Sequence, residues 1–178
     1  MVSTRELLQP PVWLLFGLSG SGKSHVGELI HRTTRWPVYH ADDNITPAMR
    51  QALAQAKPFT DAMRDEYFAQ LAEQIARRRQ ASEPLLVTQG VYKQRHRQWL
   101  TEQVPGLIPI WVQAPPELIN ARLAARKDGV AVASAAALAN DFEVPPVGTL
   151  HIHNDGGDQH ILDQFRACHI AAQGFAPF

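Results

Sequence analysis

The chain has 178 residues, 45% of them hydrophobic, which suits one globular domain with a small lid or tail and excludes a disordered chain. Its 17 Lys and Arg balance 17 Asp and Glu, which excludes recognition of nucleic acid or an acidic membrane through overall charge. One cysteine, Cys168, excludes a disulfide framework and a Cys-rich metal site and points to a reducing, cytoplasmic setting.

Met1–Pro10 carries Arg5 and Glu6 and lacks the apolar core of a signal peptide. The apolar run that follows, Val12–Phe16, has 5 residues, whereas a membrane-spanning helix needs about 20. Short, nearly continuous apolar runs predict strands at Val12–Phe16, Pro37–His40, Leu85–Thr88, Leu107–Val112 and Thr149–Ile152. Helical stretches alternate with them. Ser24–Thr34 follows the first strand, and Asp61–Arg79 places Met63, Tyr67, Phe68, Leu71 and Ile75 at helical spacing. Prolines at 47 and 58 bound one weaker helix between Asn44 and Thr60. Pro115–Lys127 opens with prolines suited to a helix start, and Ser134 is placed to cap an Ala-rich helix through Asn140. Lys127–Val130 and Val144–Gly148 read as loops, and Cys168 as a packed residue in an apolar helix. The sum is an α/β domain with a doubly wound, five-stranded parallel sheet and a small helical lid around residues 122–143.

The most informative segment is Gly17-Leu18-Ser19-Gly20-Ser21-Gly22-Lys23-Ser24, which fits G-x-x-x-x-G-K-[ST] between a strand and a helix. Gly17, Gly20 and Gly22 let the backbone curl so that N–H groups, those of Ser19 and Ser21 included, converge on phosphate oxygens. The helix that follows adds its unpaired N–H groups and positive dipole end. Lys23 is placed to neutralise β/γ-phosphate charge and Ser24 to offer its hydroxyl to Mg²⁺.

The strand-ending carboxylates are Asp42 and Asp43, 19 and 20 residues beyond Lys23. In a parallel sheet they reach the same edge as the phosphates, where a carboxylate can take a hydroxyl proton or hold Mg²⁺ through water. Capping the next helix is the alternative for this Asp pair.

Phosphoryl transfer builds negative charge and requires positioned cations. Arg122 and Arg126 stand four apart on one helix face, before Lys127-Asp128-Gly129, as a lid that closes over nucleotide would have them. Arg64, or the set Lys93, Arg95 and Arg97 after Gly90, could grip an acidic substrate from the opposite side, with surface charge the better reading for Arg95. Arg77-Arg78-Arg79 reads as a helix end whose cations complement the dipole. His151 and His153 share a strand face but lack a third ligand. The loop beginning at Asn154 lies on the ligand edge, within reach of an adenine.

With these segments in hand, the chain resembles the gluconate kinase family, small-molecule P-loop kinases related to shikimate kinases, from Val12 to about Ile170. The features that carry the likeness, in order, are Gly17–Ser24, Asp42, Lys57-Pro58-Phe59-Thr60-Asp61 through Arg64, and Ala121-Arg122-Leu123-Ala124-Ala125-Arg126-Lys127, with Phe142-Glu143 just after the lid. The resemblance implies ATP, Mg²⁺, a homodimer, and phosphorylation of a hydroxyl on a gluconate-like sugar acid. It makes Asp42 the base beside the acceptor, Arg64 and Lys93 acceptor contacts, and Arg126 a cover for the phosphates; Gly90, after the third strand, is a further candidate on the acceptor side. The chain departs from the family at His40-Ala41-Asp42, where the family has Asp-Gly-Asp, and at Thr46-Pro47, where it has His-Pro. It departs again at Gln89-Gly90-Val91-Tyr92-Lys93, where the family has Ser-Ala-Leu-Lys. A shikimate-like or other small-metabolite kinase, and a regulatory nucleotide-binding protein without acceptor chemistry, are the alternatives these departures leave open.

Overall fold

The computed structural model describes residues 9–126 and 132–173. In chain order its first elements are β1 (Val12–Phe16), α1 (Lys23–Thr34), β2 (Val38–His40), a 3-10 turn (Ala41–Asn44) and α2 (Pro47–Ala54). Next come α3 (Asp61–Arg78), β3 (Leu85–Thr88), α4 (Gln94–Gln103) and β4 (Leu107–Gln113). They are followed by α5 (Pro116–Ala125), α6 (Val132–Ala139), β5 (Leu150–His153) and α7 (Asp158–Gln173).

The five strands form one all-parallel sheet in the order β2-β3-β1-β4-β5. β1 lies at its centre, and every one of its residues is buried. Successive side chains of a strand point to opposite faces, so β1 divides its residues between two cores. Val12, Leu14 and Phe16 pack with Leu85 and Val87 of β3, with Tyr67, Phe68, Leu71 and Ile75 of α3, and with Leu100 of α4. Trp13 and Leu15 pack with Val26, Leu29 and Ile30 of α1 and with Ile161, Phe165 and Cys168 of α7. Helices on both faces make the sheet doubly wound, as the alternation of runs predicts.

Two helices start on threonine caps. Thr46 Oγ1 accepts from Met49 N at 3.2 Å, and Thr60 Oγ1 accepts from Met63 N at 3.2 Å. Thr46-Pro47 is thus an N-cap followed by a proline at the first helical position, where a missing N–H costs nothing. The Asn44–Thr60 stretch contains α2 together with the end of the 3-10 turn that carries Asp42 and Asp43. α6 begins at Val132, which puts Ser134 inside its first turn and not at its cap. Lys127 and the loop through Val130 lie outside the described residues, as does part of the expected lid.

α4 has no counterpart among the predicted helices. Its buried face is built from His96, Arg97 and Leu100, so apolar periodicity gives no signal there. Arg97 is a correction to the expected acidic-substrate grip: it is buried, donates to Val91 O at 3.2 Å and Glu143 O at 2.5 Å, and lies 4.8 Å over the Phe16 ring. Burial pulls its pKa down to about 10. A guanidinium enclosed by carbonyls and aromatic faces holds the β3 loop in place and presents nothing to a ligand. Among the described residues no helix is long and apolar enough to cross a membrane.

Candidate active site

Parallel strands deliver their C-terminal ends to one edge, and there a cavity of about 800 Å³ opens. Ser19, Gly20, Gly22, Lys23 and Ser24 form one side of it, with Asp42, Asp43, Arg64, Gln89, Gly90 and Arg126 around the rest. The structure therefore brings the phosphate loop, the carboxylate pair and two of the expected cations to one space.

The phosphate loop is fixed from behind. Asn154, buried at the end of β5, donates from Nδ2 to Ser21 O at 3.0 Å. Arg122 Nη1 donates to Gly20 O at 3.2 Å and Ser21 O at 3.3 Å. With those carbonyls held outward by side chains, the curl of the loop is set from outside the cavity. Arg122 thus meets the loop itself, while Arg126 lines the cavity. Gly22 has φ 92°, and a Cβ there would lie 2.0 Å from Asn154 Nδ2. Gly17 leaves room for no side chain, since its Cβ would lie 2.3 Å from Val112 O.

Gly22→Ala is expected to push Asn154 off the Ser21 carbonyl and strain a left-handed backbone. Nucleotide affinity should fall about tenfold or more, the equivalent of roughly 1.4 kcal/mol. Titration calorimetry with ADP reads this directly, and a wild-type dissociation constant would show that the clamp does not shape the loop.

The helix behind the loop is prepared for an anion. α1 has no side-chain cap, in contrast to α2 and α3, so its first N–H groups face the loop without a protein acceptor from a cap side chain. Lys23 is buried and donates to Gly17 O at 3.1 Å and Leu18 O at 2.9 Å, which uses two of its three N–H groups. Burial pushes the ammonium pKa down, Asp42 pulls it back up, and Arg126 adds to the lowering. The Ser21 hydroxyl is buried without a hydrogen-bond partner among the described residues.

Asp42 sits in the 3-10 turn after β2, open to the cavity yet ringed by protein. Loss of solvation pushes its carboxyl above the usual carboxylate range. Lys23 opposes that shift, Asp43 adds to it, and Arg126 and His40 oppose it weakly. The turn is held by Tyr67, whose hydroxyl donates to Ala41 O at 2.8 Å and accepts from Gln89 Nε2. His40 contacts Thr88 Oγ1 through Nδ1 and Glu28 Oε1 through Nε2, each at 2.7 Å. Where the family has an acidic residue, this chain has a ring that ties β2 to β3 and α1.

On the acceptor side, Arg64 is buried at the cavity wall, where Nη2 donates to Asp141 Oδ2 at 2.8 Å and Nη1 to Phe59 O at 2.9 Å. Lys93 stands outside the lining and faces Glu143 Oε1 at 3.7 Å. Gly90 lines the cavity, and its N–H is taken by Gln89 Oε1. Tyr92 accepts from Ser19 N at 3.0 Å, which joins the β3 loop to the phosphate loop, and burial raises its hydroxyl to about 12. Arg95 pairs with Asp65 and Asp61 at the surface. His151 and His153 are exposed, with rings 5.0 Å apart. Cys168 is buried, and burial pushes its thiol up.

Asn154 as a clamp, Tyr67, Tyr92 and Asp141 are site residues that motif reading does not assign. Tyr67 counts only as an apolar position of α3, and the others belong to no spacing rule.

Known proteins share this fold. A family model described as an AAA domain matches residues 12–143. Over 88 residues the chain is 32% identical to a probable gluconokinase of Mus musculus, across 49% of this chain and 48% of that one. The chain thus spans about half the length of the curated relatives it matches. A gluconokinase structure from Sinorhizobium meliloti superposes with a TM-score of 0.77 at 24% identity, over 93% of this chain and 95% of that one. A sugar kinase from Janibacter gives 0.77 at 20% identity, over 94% and 96% of the two chains. The family match spans most of the chain, from β1 through β4 with the cavity-lining loops between them, and so the chain belongs to the AAA domain family; it also resembles the gluconate kinases.

Proposed function

We propose that the chain is an ATP- and Mg²⁺-dependent phosphotransferase that moves the γ-phosphoryl group onto an alcohol hydroxyl of a small metabolite. The observation that carries this reading is one cavity lined by both the phosphate loop with Lys23 and a carboxylate, Asp42, which follows β2 on the far side of β3 at the same sheet edge. The uncapped N-terminus of α1 and the loop fixed by Arg122 and Asn154 suit the phosphates of a nucleotide. Ser24 at the start of α1 is the residue that would hold Mg²⁺, an ion that supplies neutralisation of phosphate charge.

Asp42 orients the acceptor hydroxyl and takes its proton as the new oxygen–phosphorus bond forms and the bond to the β-phosphate bridging oxygen breaks, releasing ADP. Lys23 and Arg126 meet the charge that grows on the phosphoryl oxygens. Enclosure by the cavity wall limits competing attack by water. A gluconate-like sugar acid is the acceptor that the names of the relatives supply, and it is the reference against which others are measured.

ADP release measured with ATP, Mg²⁺ and a panel of small alcohols tests the reading. Turnover should depend on the acceptor. Slow hydrolysis that ignores every acceptor would fit a regulatory nucleotide-binding protein instead.

A further inference from the structure

We propose that Tyr92 is a catalytic residue of the transfer, its phenol O–H donating to an oxygen of the phosphoryl group that moves, an inference that rests on the phosphotransferase reading. Tyr92 lines the cavity and belongs to Gln89–Lys93, a segment in which the chain departs from the gluconate kinase family. Its oxygen accepts the Ser19 N–H at 3.0 Å. Ser19 is the third residue of the phosphate loop, so an amide proton expected to face a phosphate is taken by a side chain. The phenol stands in front of that amide. A hydroxyl that accepts one hydrogen bond keeps its own proton to give, and accepting strengthens it as a donor. Among the described residues nothing takes that proton.

The ring is held in place from several sides. It packs edge-on against Phe142 with centroids 5.3 Å apart, and the Tyr92 carbonyl accepts from Glu143 N at 2.9 Å. Gly90 makes room for the ring, since a Cβ there would lie 2.9 Å from Tyr92 Cε1. The departures Gly90 and Tyr92 thus form a matched pair, and the phenol oxygen is fixed at the cavity wall.

Position identifies the ligand. Lys23 Nζ donates to Gly17 O and Leu18 O, the two residues before Ser19, so the ammonium and the phenol flank one entry to the loop. Both feel the base. Burial lowers the Lys23 ammonium and Asp42 pulls it back up, while burial raises the phenol to about 12 and Asp42 adds to that rise. The group that must occupy the space between the loop and Asp42 is the phosphoryl in transit. Tyr92 meets its oxygens as a neutral donor beside the cations, and it gives no proton away.

The test is titration calorimetry of the full chain with Mg²⁺ and either ADP or the β,γ-imido analogue of ATP, paired with kcat for the fastest acceptor in a panel that includes gluconate and shikimate. Tyr92→Phe keeps the ring and is checked by melting temperature. It should weaken the imido analogue about tenfold, leave ADP unchanged, and lower kcat about ten- to a hundredfold, the worth of one hydrogen bond to a charged group. Gly90→Ala retains the hydroxyl but displaces the ring, should show the same selective loss, and carries the test if Tyr92→Phe does not fold. Equal weakening of ADP and the analogue would mean that Tyr92 only fastens the loop, which overturns the inference and leaves the phosphotransferase reading standing. A raised acceptor KM with unchanged affinity for the analogue would place the phenol on the acceptor and also overturn it. Wild-type protein that binds both nucleotides yet shows no acceptor-dependent turnover overturns both readings.

Discussion

Asp42→Asn should lower the phosphotransfer rate by about 10²- to 10⁴-fold, the usual worth of a general base, while leaving nucleotide affinity unchanged. Asparagine keeps the shape of the side chain and its hydrogen-bonding reach but cannot take a proton. The measurement pairs kcat from ADP release with a calorimetric titration of nucleotide. Unaltered turnover would remove Asp42 from the mechanism. A second readout comes from pH. Loss of solvation, assisted by Asp43, holds the Asp42 carboxyl above the usual carboxylate range, against the opposing charges of Lys23, Arg126 and His40. A base acts only when ionised, so kcat/KM should fall as pH drops through that raised value. Asp43→Asn removes a like charge, and the acid limb should then move to lower pH. A limb that stays in place would show that Asp43 does not act on the base.

Lys23→Ala should cost both nucleotide affinity and rate, with kcat/KM falling about 10³-fold, or roughly 4 kcal/mol of lost transition-state stabilisation. The size follows from placement. The ammonium is buried, bonded to Gly17 O and Leu18 O, and set in the loop where phosphate charge develops. A positioned charge in a water-poor site needs little reorganisation as the reaction proceeds. Its removal also frees two loop carbonyls, so the cradle loses an internal tie along with a cation. Nucleotide binding and turnover at wild-type levels would refute the assignment of this loop to phosphate.

The nucleotide half of the site is legible in the sequence because its chemistry is local. Gly17–Ser24 is one unbroken segment, and the strand before it and the helix after it are both readable from apolar spacing. The central strands β1 and β3 announce themselves for a related reason: buried on both faces, they carry continuous apolar runs, whereas the edge strand β5 exposes His151 and His153. The acceptor half is made by contacts between distant segments. Arg64 and Asp141 are 77 residues apart, and Ser19 and Tyr92 are 73 apart, so no spacing rule joins them. α4 is hidden for another reason. It buries polar side chains that find distant partners, His96 Nε2 on Asp65 and Arg97 on carbonyls, so its inward face looks like a solvent face in sequence. Asn154 is hidden because its role depends on Gly22 lacking a Cβ, a matter of shape between residues 132 positions apart.

The division of β1 between two cores has a mechanical consequence for the chemistry. The phosphate loop hangs from a strand whose neighbouring side chains are gripped from opposite faces, so the loop cannot drift without loosening both cores at once. The acceptor wall is anchored far more lightly, since α2 buries only Met49 and Ala52. Substitutions at Leu53 or Ile45 therefore reshape what enters the cavity while the phosphate end keeps its geometry. Such an enzyme can exchange its acceptor over evolutionary time and retain its phosphate donor.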